Sequence, residues 1–389
     1  MEDSYSEKVA VCTLNRIFGY EPAITHRLLD RLGSAMALFR MDARSRERLL
    51  GPYSKHLGEI HDGALEKSAR ELESLARQGC RFLSITEAAY PALLKECEDA
   101  PAGLYIRSGS TDGQIFAERP AIAVVGTRDL SLYGRDACRR IVEALSHSKH
   151  PPVIVSGFAL GTDIVAHASA LECGLPTIAV LPTGITEVYP RRHWKWAERL
   201  AGTEGCALVT DYPPGTEALA VNFLRRNRII AGLSQATLLI ESKAKGGGLI
   251  TADFAFNYAR DVYALPGRVD DIRSAGCNQL IKRHVAEAIT DPETLVEDLG
   301  LGVPTRRSVS AVRDEVRSLY EGSMGPEEVS FILSVADCIK RNKGITPEEI
   351  AARMGCDFQR VCVVTGMLEA DGIIETDLMQ GCSIRTKIR

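Results

Sequence analysis

The chain has 389 residues, enough for two or three domains and too many for one small core. Its composition, 45% hydrophobic and 25% charged, excludes long disorder. The balance of 47 basic against 51 acidic residues, formal net charge −4, excludes general stickiness for nucleic acid or membranes, so any polyanion site must be a local concentration of positive charge.

Taken in chain order, the N-terminus MEDSYSEKVAVCTL has no basic stretch leading into an apolar one, so no signal peptide is expected. No apolar run approaches the ~18 residues that a membrane helix needs. The 11 cysteines are scattered, with no C-x-x-C, and the Cys356–Cys362 spacing fits no common zinc pattern. Buried thiols in a reducing cytoplasm are expected, with no metal and no cofactor. Residues 1–80 read as helices: ITHRLLDRLGSAMALF is apolar at helical spacing with a break at Gly33, and GALEKSARELESLARQG ends on Gly79. This segment resembles a small SAM or helix-hairpin-helix domain.

From 81 to 300 the texture changes. Six short runs rich in Val, Ile and Ala appear at 121–126, 152–157, 177–184, 206–211, 236–242 and 261–267, with helical patterns between them. Near-continuous apolar strands alternating with helices predict an α/β domain, a doubly wound Rossmann-like parallel sheet covered on both faces. Residues 301–309 read as a linker. In 310–389, ITPEEIAARMG carries a capping box, Thr346 with Glu349, and Pro347 at the first helical position. A second helix and the hairpin-like IIETDLMQGCSIR complete a winged-helix pattern.

In an open α/β sheet, ligands bind at the carboxyl ends of the strands. There the first run gives Gly126-Thr127-Arg128, and the second gives Ser156, Gly157, Gly161 and Asp163. The third leads to Arg191 and Arg192, and the fifth gives Lys243 and Lys245 before Gly246, Gly247 and Gly248. Glycine-rich turns and helix N-termini on one sheet edge form an anion cradle. FLRRNRIIAGL adds Arg225, Arg226, Asn227 and Arg228, and its apolar continuation places the arginines in the first turn of a buried helix. Cations there oppose the helix dipole, which an external anion would offset.

Structural readings stand beside these. Arg225 reads as a solvated cation, and Arg226 or Arg228 pairs with Asp211 or Glu217, or else reaches out to a ligand. Asp163 and His167 share a helix face, as a capping Asp and a packed His or as an acid–base or metal pair. Glu241 and Asp253 lie near the glycine triplet as candidate carboxylates. There is no G-x-x-x-x-G-K-[ST], no dinucleotide fingerprint, no H-E-x-x-H and no G-x-S-x-G.

The loops carry a specific likeness. VVGTR at 124–128, SGFALGTD at 156–163, GITEVYPRRH at 184–193, FLRRNRIIAGLS at 223–234, GGGLITA at 246–252, ALPG at 264–267 and GCNQLI at 276–281 stand in the order found in the DprA (Smf) family, which the chain resembles over roughly residues 90–290. The resemblance implies a non-enzymatic protein that binds single-stranded DNA and loads the recombinase RecA onto it in natural transformation or homologous recombination. It also implies a homodimer, with a single-strand-binding protein as a further partner. Arg128, Arg226 and Arg228 would grip phosphates, and Lys243 would widen the basic strip. The chain departs from the family at Leu160, Thr162 and Leu224, where Lys, Ile and Pro are usual, and at His284-Val285. The alternative is a nucleoside-monophosphate-processing enzyme related to the phosphoribohydrolases. Their glycine loop, P-G-G-x-G-T-x-x-E, differs from KGGGLITAD, in which Asp253 would have to replace the Glu.

Overall fold

A computed structural model describes residues 2–302 and 316–384, apart from 323, 343, 378 and 379. Most of the linker expected at 301–309, and the basic RTKIR at the C-terminus, lie outside the described residues. The chain divides into two compact units, Met1–Pro304 and Thr305–Arg389.

All six apolar runs are strands: β3 (Ala121–Val125), β4 (Val153–Ser156), β5 (Thr177–Val180), β6 (Ala207–Thr210), β7 (Ala236–Leu239) and β8 (Asp261–Ala264). They belong to a nine-stranded sheet of order β1-β2-β6-β5-β4-β3-β7-β8-β9, parallel from β6 to β9. An antiparallel hairpin, β1 (Cys80–Ser84) and β2 (Gly103–Arg107), extends the sheet beyond β6. A two-residue strand, β9 (Glu287–Ala288), forms the other edge.

Alternation along each strand feeds two layers. On β3, Ala123 and Val125 pack with Ile229, Ile230, Ala252 and Ala255 of the helices Ala220–Gly232 and Gly247–Asn257. Ile122 and Val124 face the other way, against Cys138 and Ile141 of the helix Leu132–Ser146. The N-terminal helices cover that second face further along. Leu14, Phe18 and Leu38 share a core with Phe82, Tyr105 and Leu208 of β1, β2 and β6. The fully buried Tyr105 donates its hydroxyl to Glu71 on the helix Asp62–Arg77 (3.0 Å). The 1–80 segment, expected as a domain of its own, is therefore built into the same unit as the sheet.

Local signals account for the helix ends. Gly33 sits at φ +71° and closes the helix Pro22–Leu32 by donating its N–H to Leu29 O. The next helix, Ala35–Arg40, is capped at its N-terminus by Glu7, whose carboxylate accepts from Ser34 Oγ (2.6 Å) and from the Ala35 and Met36 amides.

The C-terminal unit has helices Pro326–Arg341, Pro347–Met354 and Phe358–Ala370, then a hairpin of β10 (Ile374–Thr376) and β11 (Cys382–Ile384). The Thr346–Glu349 capping box forms as the sequence predicts, and Gly355 ends the second helix at φ +62°. Val335, Ile350, Val361, Leu368 and Ile374 form this unit's own core. Among the described residues no helix is long and apolar enough to cross a membrane. All 11 cysteines are free, and burial pushes the Cys138 thiol up to about 12, leaving it inert at neutral pH.

Candidate nucleic-acid interface

The chain leaves β3 toward β4 on one side, while β7, on the other side of β3, continues toward β8. Between the carboxyl ends of β3 and β7 the crossovers therefore diverge and open a crevice, the place where open α/β sheets bind ligands. It has a volume of about 400 Å³. Gly126, Thr127 and Arg128 line one wall, and Lys243, Lys245 and the glycines 246–248 line the other. Phe223, Leu224, Arg226 and Asn227 close it from the helix Ala220–Gly232, and Ala159 and Asp163 lie toward β4.

The wall loops hold one another by backbone bonds. Thr127 donates its N–H to Glu241 O (2.8 Å) and accepts at its own carbonyl from Thr162 N (3.1 Å) and Thr162 Oγ1 (3.3 Å). The Thr162 side chain thus adds a hydroxyl tie between the two loops. Gly161 sits at φ +75°, and a Cβ there would lie 2.2 Å from Thr127 O, so only glycine lets the loops meet. Gly157 abuts the Arg226 guanidinium, 2.5 Å from where a Cβ would be. Ser156 donates its hydroxyl to Val124 O (2.6 Å) and serves the sheet rather than the crevice. Gly248 packs against Gly126, bringing the N-terminus of the helix Gly247–Asn257 to the crevice wall.

The arginines do not lie where the sequence places them. The helix begins at Ala220, so Arg225, Arg226 and Arg228 occupy its second and third turns and the conflict with the dipole disappears. Leu224 has an N–H, and the helix runs through a position where proline would break it. The three side chains take different directions. Arg228 is buried, with its guanidinium 2.5 Å from an Asp211 carboxylate oxygen, and it also donates to Asp99 O. Burial raises the Asp211 carboxyl, and Arg228 pulls it back only in part. Of the two readings of Arg228, the structure assigns it to the Asp211 pair and not to the crevice. Arg226 is also buried, donating to Gly157 O and Val180 O, and burial lowers its pKa to about 10 against the opposing pull of Asp163. It lines the crevice floor. Arg225 is exposed, stacked 4.4 Å over the Tyr20 ring. Asn227 donates Nδ2 to Gly247 O (3.3 Å), joining this helix to the glycine loop.

Arg128, Lys243 and Lys245 are the exposed cations at the crevice, and none makes an ion pair among the described residues. Arg128 lies 4.7 Å over the Phe223 ring, and Phe223 meets Tyr189 edge-on at 5.3 Å. Arg128 also borders a second hollow lined by Arg135, Leu160, Arg192 and Trp196. Arg191 is exposed on the turn Arg191–His193 but lines neither hollow. Phe223 and Tyr189 escape sequence reasoning as site residues, although an aromatic two residues before Arg225 was a signal.

The candidate carboxylates are engaged elsewhere. Glu241 is buried and accepts from the Ser131 amide (2.9 Å) and hydroxyl (2.5 Å), which fixes the loop after β3. Asp253 is exposed and does not line the crevice. Asp163, in the first turn of the helix Thr162–Glu172, accepts from Ala159 N (3.2 Å) in the preceding loop rather than capping the helix, and burial raises its carboxyl pKa. His167 is a packed histidine whose Nδ1–H donates to Thr177 Oγ1 (2.7 Å), and burial lowers its pKa to about 3.

His167 carries a pH prediction. Unfolded, it protonates near 6.5, so between pH 6.5 and 3 the unfolded chain binds a proton that the folded chain refuses. Stability is therefore lost as pH falls through that window, by up to about 1.4 kcal/mol per pH unit. The raised Asp163 and Asp211 carboxyls act oppositely, since their folded forms bind protons more readily. The thermal midpoint is expected to fall from pH 7 to pH 5, and less steeply in His167→Asn. Equal slopes would show that His167 does not stay neutral.

The fold and this edge define a class: an α/β protein with a basic, glycine-lined crevice at the switch point of a parallel sheet. A sequence profile described as DNA recombination-mediator protein A matches residues 81–300, and the chain belongs to that family. It is 39% identical over 215 residues to protein Smf of Escherichia coli, covering 55% of each chain. It is 34% identical over 239 residues to the DNA processing protein DprA of Streptococcus pneumoniae, covering 61% of this chain and 79% of that one. The chain thus spans about half the length of some curated relatives. The crystal structure of the pneumococcal DprA superposes with TM-score 0.61 at 26% identity, covering 76% of this chain and 96% of that one. A Helicobacter pylori DNA processing protein A, described for its single-stranded DNA binding mode, superposes with TM-score 0.50 at 26% identity over 56% of this chain and 95% of that one.

Proposed function

We propose that this chain is a non-enzymatic recombination mediator that holds single-stranded DNA along the carboxyl edge of its sheet. One observation carries the reading: three exposed cations, Arg128, Lys243 and Lys245, stand with a glycine-rich helix N-terminus and the Phe223 ring around one crevice. Cations and amides suit the phosphate backbone, and an aromatic face suits an unpaired base. The H. pylori relative's single-stranded DNA binding supports the same substrate here. Loading of RecA, cooperation with a single-strand-binding protein, homodimer formation and a cytoplasmic location complete the reading. The engagement of Glu241 and the outlying position of Asp253 favour binding over turnover.

We read the N-terminal helices as SAM-like and the C-terminal unit as a winged helix that contacts protein. In the helix Phe358–Ala370, Arg360 is the sole cation, and it lies 4.1 Å over the Phe331 ring. A helix entering a major groove needs more positive charge than that.

Fluorescence anisotropy of labelled oligo-dT across a salt series, beside a duplex competitor, tests the reading. Contacts from Arg128, Lys243 and Lys245 give a log–log salt slope of about −2, and engagement of Arg191 and Arg192 steepens it to about −3.5. Equal affinity for duplex, or a flat salt response, would sink it.

A further inference from the structure

The crevice is an open hollow of one small molecule's size as well as a stretch of a surface track. Its 400 Å³ falls at the low end of the range for small-molecule sites. Its two ends differ in chemistry. At one end the helix Gly247–Asn257 presents its first amides, with Lys243 and Lys245 beside them. At the other, Phe223, Leu224 and Ile230 form an apolar wall over a floor of Arg226 and Asp163. Arg226 is 3% exposed, and its Nε has no hydrogen-bond partner among the described residues, although its Nη1 donates to two carbonyls. A buried donor left unsatisfied is costly and points to a ligand acceptor.

We propose that the crevice is a mononucleotide site that binds a free nucleoside 5′-monophosphate in competition with the DNA strand. The phosphate sits on the amides of Gly247 and Gly248 between Lys243 and Lys245, and the base lies against Phe223 and Ile230. A phosphomonoester near neutral pH carries more charge than a backbone diester, and a helix N-terminus with two lysines rewards that difference. The free-nucleotide pool thereby sets how readily the crevice accepts a strand. The inference rests on the single-stranded DNA reading of this same site and adds a second ligand to it.

The test is calorimetric titration of the full chain with dTMP and with thymidine, together with displacement of labelled oligo-dT by dTMP. Expected are one dTMP per chain, at least about tenfold weaker binding of thymidine, and competitive displacement. Gly247→Leu fills the mouth of the crevice. Gly247 is exposed, its φ is not left-handed, and an added Cβ there meets nothing within 4 Å, so the thermal midpoint should hold while dTMP affinity falls at least about tenfold. The double variant Lys243→Ala with Lys245→Ala, altering only exposed side chains, should weaken dTMP and leave thymidine unchanged.

Tight oligo-dT binding with no dTMP binding would overturn the inference and leave the strand reading intact. So would dTMP binding that neither competes with oligo-dT nor responds to these variants. A chain that binds dTMP but no oligo-dT would overturn the strand reading, and the competition with it.

Discussion

Arg228→Ala is expected to destabilise the N-terminal unit by about 3–5 kcal/mol, the typical cost of removing one partner from a buried ion pair. Asp211 and Arg228 are 6% and 7% exposed, and Asp211 Oδ1 already lacks a hydrogen-bond partner. Removing the guanidinium leaves a buried carboxylate with neither water nor a cation. It also frees the Asp99 carbonyl, beside the Asp99 carboxylate that accepts from Tyr258 (2.5 Å). Asn15 of the first helix donates to Asp211 O (2.8 Å), so the damage reaches the N-terminal helices. For a unit of this size the thermal midpoint should drop by roughly 10 °C. Replacing both charges, Arg228→Met with Asp211→Leu, should recover most of the loss, because a buried pair exchanged for apolar groups is often neutral. A midpoint within 2–3 °C of the parent in Arg228→Ala, about 1 kcal/mol, would show that the pair is solvated.

Arg128→Glu is the converse case, with a large effect on binding and almost none on folding. The side chain is exposed, so stability should stay within about 0.5 kcal/mol. A lost charge-assisted hydrogen bond costs about 1.5–3 kcal/mol, a factor of roughly ten to a hundred in oligo-dT affinity, with carboxylate–phosphate repulsion added. The salt slope should flatten by about 0.7 for the missing phosphate contact. Phe223→Ala separates charge from stacking: it should lose about 1–3 kcal/mol of affinity and leave the salt slope unchanged. The same slope in both variants would mean that Arg128 supports the Phe223 ring rather than a phosphate. A loss of DNA binding in Arg228 variants, by contrast, reports a damaged fold, and only the melting curve distinguishes the two arginines.

The six parallel strands β3 to β8 are legible because each is a short apolar run buried on both faces. The hairpin β1–β2 is not. CRFLS and GLYIR are interrupted by Arg81 and closed by Arg107 and so lack the apolar texture of the other runs, and their place beside β6 depends on pairing Tyr105 with Thr210, far away in the chain. Glycine-rich loops at strand ends mark the site's edge without any structure, since backbone amides are exposed wherever such turns occur. Their order along the chain also carries the family likeness.

What the sequence determines by itself is therefore local: strand and helix identities, the capping box at Thr346, the stop at Gly33 and the clustering of cations in a few loops. Tertiary structure alone decides which cations remain available. Arg225, Arg226 and Arg228 lie within four consecutive residues, yet the 100° turn per residue of a helix sends one over Tyr20, one beneath Gly157 and one to Asp211. Burial converts two of these three charges into internal ties because desolvated guanidinium groups must find acceptors within the fold. Arg128, exposed on the loop after β3 and in no ion pair among the described residues, keeps its charge at the surface.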